Sequence, residues 1–179
     1  MCSIAGSQQD SDVVKMLDVM KHRAPDGWKV GGDKKFAIGM GRLAIIDLES
    51  KGLCLYHEDG VFTAFNGEIY NFREIRKDLE AKGHIFTTNS DIEVLYKSYK
   101  EWGAKCLDKF NGMFAFAIYD GKTIFLARDI AGEKPLYYKE KPFQFASEAK
   151  ALGFDCKEFP PATYAIYDFK ELKFKKWWN

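Results

Sequence analysis

From residue 113 onward the chain is punctuated as three successive hairpins, and this pattern narrows the fold more than any other feature. Apolar runs over 113–120 and 123–128 flank Asp120-Gly121, a dipeptide that tolerates the left-handed conformations of a tight hairpin turn. Runs 136–139 with 143–146, and 164–169 with 172–177, repeat the arrangement. Strands joined so closely must pair antiparallel, because a parallel pair needs a crossover of a dozen or more residues. Helical periodicity lies earlier. Val13, Met16, Leu17 and Met20 predict a helix over 12–22. Asn71 with Glu74 reads as a capping box for a helix carrying Phe72, Ile75 and Leu79 and stopped by Gly83. Ser90 with Glu93 repeats the signal before Ile92, Leu95, Tyr96 and Tyr99. Residues 3–6 and 61–66 read as strands. Phe36, Ile38 and Met40 alternate, then Leu43 and Ile45, with Gly39 and Gly41 near the change of face, so this region is two strands or one bent strand. Helices first and hairpins later predict an α+β fold of antiparallel sheets with segregated helices rather than βαβ winding.

The 179 residues contain no internal repeat, low-complexity stretch or linker, which predicts one domain over 1–179. A hydrophobic share of 46% allows a core without staples. The formal net charge of +1 argues against an electrostatic nucleic-acid binder. Lys170, Lys173, Lys175 and Lys176 are interleaved with Leu172 and Phe174 and read as the solvated face of a strand. No apolar run approaches about 18 residues, so no membrane span is expected. The first residues carry Asp10, Asp12 and Asp18 and do not form a signal peptide, so the expected compartment is the cytoplasm. The four cysteines and three histidines have no metal-ligand spacing. No metal, cofactor or disulfide is expected, and Cys54, Cys106 and Cys156 read as small core or surface residues.

Chemistry is concentrated at two places. Cys2 follows the initiator methionine, and once Met1 is removed it carries a thiol and a free α-amine on one carbon. With reference pKa values of about 8.5 and about 7.7–8.0, the pair can exchange a proton near neutrality, and a terminal amine is a known base for acyl transfer. Any chain can have Cys at this position, so the reading depends on an oxyanion hole elsewhere. Asn66-Gly67 closes an apolar strand ahead of the Asn71 helix. A side-chain amide beside an unhindered backbone N–H makes an oxyanion donor pair, although Asn-Gly is also ordinary turn chemistry.

Several segments together resemble a known family. They are Cys2-Ser3-Ile4-Ala5-Gly6, His22-Arg23-Ala24-Pro25-Asp26, Arg42-Leu43-Ala44-Ile45-Ile46-Asp47, Phe65-Asn66-Gly67-Glu68-Ile69-Tyr70-Asn71 and Ser90-Asp91-Ile92-Glu93-Val94. Gly112-Met113-Phe114-Ala115-Phe116-Ala117, Arg128-Asp129, Gly132-Glu133-Lys134-Pro135-Leu136-Tyr137-Tyr138 and Phe145-Ala146-Ser147-Glu148 follow in register. The chain resembles the glutaminase domain of glutamine-hydrolysing asparagine synthetases over nearly its whole length. The resemblance implies an N-terminal-nucleophile hydrolase fold, a four-layer αββα sandwich of two antiparallel sheets with helices outside. It implies hydrolysis of glutamine to glutamate and ammonia through a Cys2 thioester. It makes Cys2 the nucleophile, its α-amine the base, and the Asn66 side chain with the Gly67 N–H the oxyanion hole. Arg42 is then expected to bind the substrate α-carboxylate, and Glu68 and Asp91 the α-ammonium.

These residue types suit a zwitterion, whose buried charges each need a partner, and Arg can grip a carboxylate bidentately where Lys cannot. The family usually has Gly where Ala24 stands, Ser at Ala44, Arg at Ile130 and Gln-Pro near Leu53-Cys54. The resemblance also implies a synthetase domain after position 179, with a Ser-Gly-Gly-Leu-Asp-Ser pyrophosphate loop that these residues lack. Glutamine and an ammonia-consuming synthetase domain or subunit, which would bind ATP and aspartate, are thus the expected partners. Trp177 and Trp178 could serve such a partner or pack inward. Alternatives are another ammonia acceptor, such as a sugar phosphate or phosphoribosyl donor, or a glutamine-sensing module without turnover.

Overall fold

All three expected hairpins close in the computed structural model, which describes residues 1–44 and 54–178. The first sheet contains β1 (Ser3–Ser7), β2 (Trp28–Gly32), β3 (Ala37–Gly41), β8 (Tyr137–Glu140), β9 (Phe143–Ala146) and β10 (Lys157–Glu158). Its order is β10-β8-β9-β1-β3-β2. The second contains β4 (Tyr56–Glu58), β5 (Val61–Ile69), β6 (Gly112–Tyr119), β7 (Ile124–Arg128), β11 (Thr163–Tyr167) and β12 (Leu172–Lys176), in the order β12-β11-β7-β6-β5-β4. Every registered pairing is antiparallel. Helix α1 (Asp10–Val19) and the single turn α4 (Ala149–Leu152) cover the first sheet. Helix α3 (Asp91–Trp102) lies against β5, and α2 (Phe72–Ala81) packs on α3. The layers are αββα, as the resemblance implies.

Strand alternation decides which side chains meet between the sheets. Phe36, Phe143 and Phe145 come from the first sheet and its connections, and the Phe36 ring lies 5.8 Å from Tyr119 of β6. The Tyr119 hydroxyl donates to Asp33 at 2.7 Å, which satisfies a phenol that would otherwise be costly to bury. Residues Phe114 and Phe116 alternate to the other face of β6, where they meet Phe125, Phe110 and Trp177. On β3, Gly39 has no side chain to hold off the helix. A Cβ there would stand 2.7 Å from both Leu17 and Val13 of α1, so glycine sets how closely α1 can seat.

Several local expectations are corrected. Helix α1 starts two residues early and ends at Val19, followed by a 3₁₀ turn over Lys21–Arg23. Neither capping box forms. The Asn71 side chain instead bonds the β6 approach, donating to Lys109 O and accepting from Asn111 N, both at 2.9 Å. Glu93 instead accepts the N–H groups of Thr87 and Thr88, at 2.9 and 2.7 Å. Strand β5 does not stop at Asn66 but runs to Ile69. Elements not legible include β2, β4, β10, α4 and a 3₁₀ segment over Gly103–Lys109; most are short, and β2 ends in two glycines that break the alternation. Ile45, Ile46, Asp47 and Leu53 lie outside the described residues. Trp177 packs inward, stacking on Phe114 and donating from Nε1 to Arg128 O at 3.2 Å, whereas Trp178 is exposed. The lysine-rich β12 is one edge strand of the second sheet, where charge discourages pairing with another chain.

Candidate active site

Cys2 stands one residue before β1, at the mouth of a cleft between the two sheets. The cleft is lined by Met1, Cys2, Met40, Arg42, Leu43, Phe65, Asn66, Gly67, Glu68, Ser90, Asp91, Ile92, Met113 and Lys134. All six residues singled out in the sequence therefore converge. They arrive on separate elements: Cys2 before β1, Arg42 after β3, Asn66, Gly67 and Glu68 on β5, and Asp91 at the first position of α3.

The Cys2 thiol is held by one backbone unit. Leu43 N donates to its sulfur at 3.4 Å and the sulfur lies 3.6 Å from Leu43 O. Burial pushes the thiol above its ordinary pKa, opposed by the Leu43 N–H and by the positive chain terminus. The thiol is thus protonated near neutrality and needs a base to become a nucleophile. The Leu43 segment is fixed in turn from the His22–Asp26 motif. Arg42 N donates to Gly27 O at 2.9 Å, Asp26 N to Arg42 O at 3.1 Å, and the Asp26 carboxylate accepts from Ala44 N at 2.7 Å.

Strand β5 supplies two donors from adjacent residues. Asn66 pairs with Ala115 and Gly67 with Phe114. Phe114 spends both backbone groups on Asp129: it donates to the carboxylate at 3.2 Å and accepts from Asp129 N at 2.8 Å. Gly67 is therefore in a non-hydrogen-bonded pair, and its N–H points away from β6. Its neighbours of the same parity do likewise: Phe65 N reaches Met40 Sδ at 3.4 Å, and Ile69 N reaches Asp91 at 3.2 Å. The Gly67 N–H lies between them, facing the cleft. A Cβ on Gly67 would meet Met113 O and stand 2.7 Å from Phe114 Cα, so only glycine permits this strand approach. The Asn66 side chain is 1% exposed, and among the described residues its Nδ2 has no hydrogen-bond partner. A buried amide donor left unpaired costs roughly 1–3 kcal/mol, a cost a bound acceptor would relieve.

Charge in the cleft is balanced. Arg42 and Lys134 are each 7% exposed and line it together with Glu68 and Asp91. Burial raises the Asp91 pKa to about 6, against the lowering effect of the Ile69 N–H. Lys134, Ser90 and Met113 also line the cleft, though the sequence did not mark them as site residues. Lys134 lies in the Gly132–Tyr138 motif, whose loop is pinned by Arg128 and Asp129. Arg128 donates to Lys134 O and Gly132 O at 2.8 Å, and Asp129 accepts from Glu133 N and Lys134 N at 2.9 and 3.0 Å. Met1 lies over the cleft, its sulfur 3.8 Å from both Lys134 Nζ and Arg23 Nη2. Among the described residues, no three His, Cys, Asp or Glu side chains converge as a metal site, and no helix is long and apolar enough to cross a membrane.

Residues 1–176 match the family model described as a glutamine amidotransferase domain. The chain belongs to this family. It is 40% identical over 167 residues to glutamine-hydrolysing asparagine synthetase 3 of Bacillus subtilis, covering 85% of this chain and 27% of that protein. It is 37% identical over 178 residues to glutamine-hydrolysing asparagine synthetase 3 of Arabidopsis thaliana, covering 94% of this chain and 30% of the relative. The chain thus spans about a quarter to a third of the length of the curated relatives it matches. Among solved structures, a glutamine phosphoribosylpyrophosphate amidotransferase from B. subtilis superposes with a TM-score of 0.83 at 23% identity, covering 98% of this chain and 49% of that one. That likeness shows a shared fold, two antiparallel sheets with helices outside. The six cleft residues singled out in the sequence all fall within the matched region.

Proposed function

We propose that this domain hydrolyses glutamine to glutamate and ammonia, with Cys2 as nucleophile. The observation that carries the reading is the buried Asn66 Nδ2, unpaired among the described residues, beside the Gly67 N–H and in the same cleft as the Cys2 thiol. After removal of Met1, the Cys2 α-amine takes the thiol proton and the thiolate attacks the glutamine side-chain carbonyl carbon. Asn66 Nδ2 and Gly67 N–H stabilise the resulting oxyanion. The α-ammonium returns its proton to the departing nitrogen, which leaves as ammonia, and a γ-glutamyl thioester remains. The amine then deprotonates water, which cleaves the thioester to release glutamate and restore the thiol.

Arg42 binds the substrate α-carboxylate, and Glu68 with Asp91 the α-ammonium. A cleft with balanced cations and carboxylates fits a zwitterionic substrate. Kinship to glutamine-hydrolysing asparagine synthetases supports a synthetase part, joined to or associated with this domain, as the consumer of the ammonia. A retained Met1 makes the Cys2 nitrogen an amide with no basic lone pair. Turnover should therefore follow the fraction of chains whose N-terminal mass shows Met1 removed. Cys2→Ala should abolish glutamate release while glutamine still binds by calorimetry. Hydrolysis by the Cys2→Ala protein would refute the assignment.

A further inference from the structure

The His22-Arg23 and Ser147-Glu148 motifs remain unexplained by the residues that touch substrate, yet they meet behind Cys2. Arg23 is 7% exposed and donates from Nε to the Cys2 carbonyl at 3.0 Å. That carbonyl belongs to the peptide plane on which the Cys2 α-carbon hangs, with its thiol and amine. Cys2 precedes the first registered pair of the sheet, Ser3 with Gly41, so the strand ladder does not hold it. Once Met1 is gone, Cys2 is a chain end, and chain ends are free unless tied down.

Arg23 is itself aimed by Glu148, whose Oε1 accepts from Arg23 Nη1 at 3.0 Å. The same oxygen bonds His22 Nε2 at 3.0 Å, and Oε2 pairs with Lys150 at 3.0 Å. Glu148 is placed by its neighbour: Ile4 N donates to Ser147 Oγ and Ser147 N to Ile4 O, both at 2.9 Å. A closed ring therefore runs from the Cys2 carbonyl through Arg23, Glu148 and Ser147 to Ile4, two residues beyond Cys2. A guanidinium aimed by a carboxylate holds a fixed direction, which a flexible side chain alone would not. We propose that Glu148 is a positioning residue for the Cys2 nucleophile, acting through Arg23 and touching no substrate. The proposal rests on the hydrolysis assigned to Cys2 above.

The test compares Glu148→Ala, Glu148→Gln and Lys150→Ala in protein with Met1 removed. Misplacing a nucleophile by about 1 Å costs on the order of 10²-fold, so Glu148→Ala should lower kcat by tenfold to a hundredfold. Its affinity for glutamine, measured by calorimetry in a Cys2→Ala background, should stay within twofold. Glu148→Gln keeps an oxygen for Arg23 and should restore most of kcat. Lys150→Ala, which removes only the exposed partner, should leave kcat unchanged. Alkylation of Cys2 by iodoacetamide, followed by mass, reads nucleophile geometry without glutamine and should slow in Glu148→Ala alone. Should Glu148→Ala fail to fold, the same reading is taken from Glu148→Asp, whose shorter arm should lower kcat while Glu148→Gln retains it. An unchanged kcat and alkylation rate in a folded Glu148→Ala protein, or a loss carried by glutamine affinity, overturns the proposal. Absence of glutaminase activity in the unsubstituted protein would instead overturn the assignment to Cys2, and the alkylation rates would still decide the role of Glu148.

Discussion

Asn66 is the cleft residue whose environment is hardest to explain without a ligand. It lies in a strand with its backbone satisfied by β6, and its side-chain nitrogen is buried and, among the described residues, unpaired. Asn66→Ala should therefore cost little stability and much activity. Loss of one oxyanion donor lowers kcat by about 10²–10³, with a smaller change in KM. Steady-state kinetics separates the two, and a change confined to KM would make Asn66 a binding residue instead. Asp91 makes a prediction about pH. Burial raises its pKa to about 6 in the free protein, so its carboxylate is increasingly protonated below that pH. An ammonium group prefers the ionised form, so binding must first remove the proton. The glutamine Kd of Cys2→Ala protein should be flat above pH 6 and rise about tenfold per unit below it. Asp91→Asn should bind weakly with no such dependence, and titration calorimetry across pH 5–7.5 measures both.

At the scale of elements, α3 is placed by charge as well as by apolar packing. Glu93 is fully buried and accepts N–H and hydroxyl groups from Thr87 and Thr88, with Lys97 3.5 Å away on the same helix. Lys97 also pairs with Glu58 of β4 at 3.0 Å, which ties the helix to the sheet edge. Removing Glu93 leaves Lys97 its Glu58 partner but takes the acceptor from the Thr87 and Thr88 N–H groups, a loss of about 1–3 kcal/mol. Glu93→Ala should lower unfolding free energy by that amount in denaturant titration. Because the Thr87–Ser90 segment leads directly into Asp91, the same variant should also raise KM for glutamine. Sequence alone assigned Glu93 to a capping box with Ser90. The side chain was correctly read as a helix-start device but given the wrong donors, since the folded loop brings two threonine N–H groups nearer than the Ser90 backbone. Asn71 differs in the same way: the β6 approach, about forty residues away in sequence, outcompetes its own helix.

At the scale of the whole molecule, the two sheets meet through the cluster around Phe36, and the cleft opens where Cys2, β5 and α3 come together. Every proposed catalytic and substrate-binding group lies in these 179 residues. The purified chain should thus release glutamate and ammonia one for one, and added ATP and aspartate should leave that rate unchanged. Chromatography of the products checks this, and asparagine formation would show a second active site within these residues. The hairpins, helical faces and the cysteine at position 2 were legible in the sequence because turn chemistry, side-chain periodicity and chain position are local properties. The motifs in register also carried the family, and they held the six residues that the fold brings to one cleft. Only the tertiary structure decided that β5 continues through Asn66-Gly67, that its parity turns the Gly67 N–H into the cleft, and that Lys134 lines it. It alone joined Glu148 to Cys2 through Arg23. Those outcomes depend on which buried polar groups lie nearest in space. A chain brings such groups together only after its sheets have paired, so residues 125 positions apart, such as Arg23 and Glu148, share a hydrogen bond that no local pattern encodes.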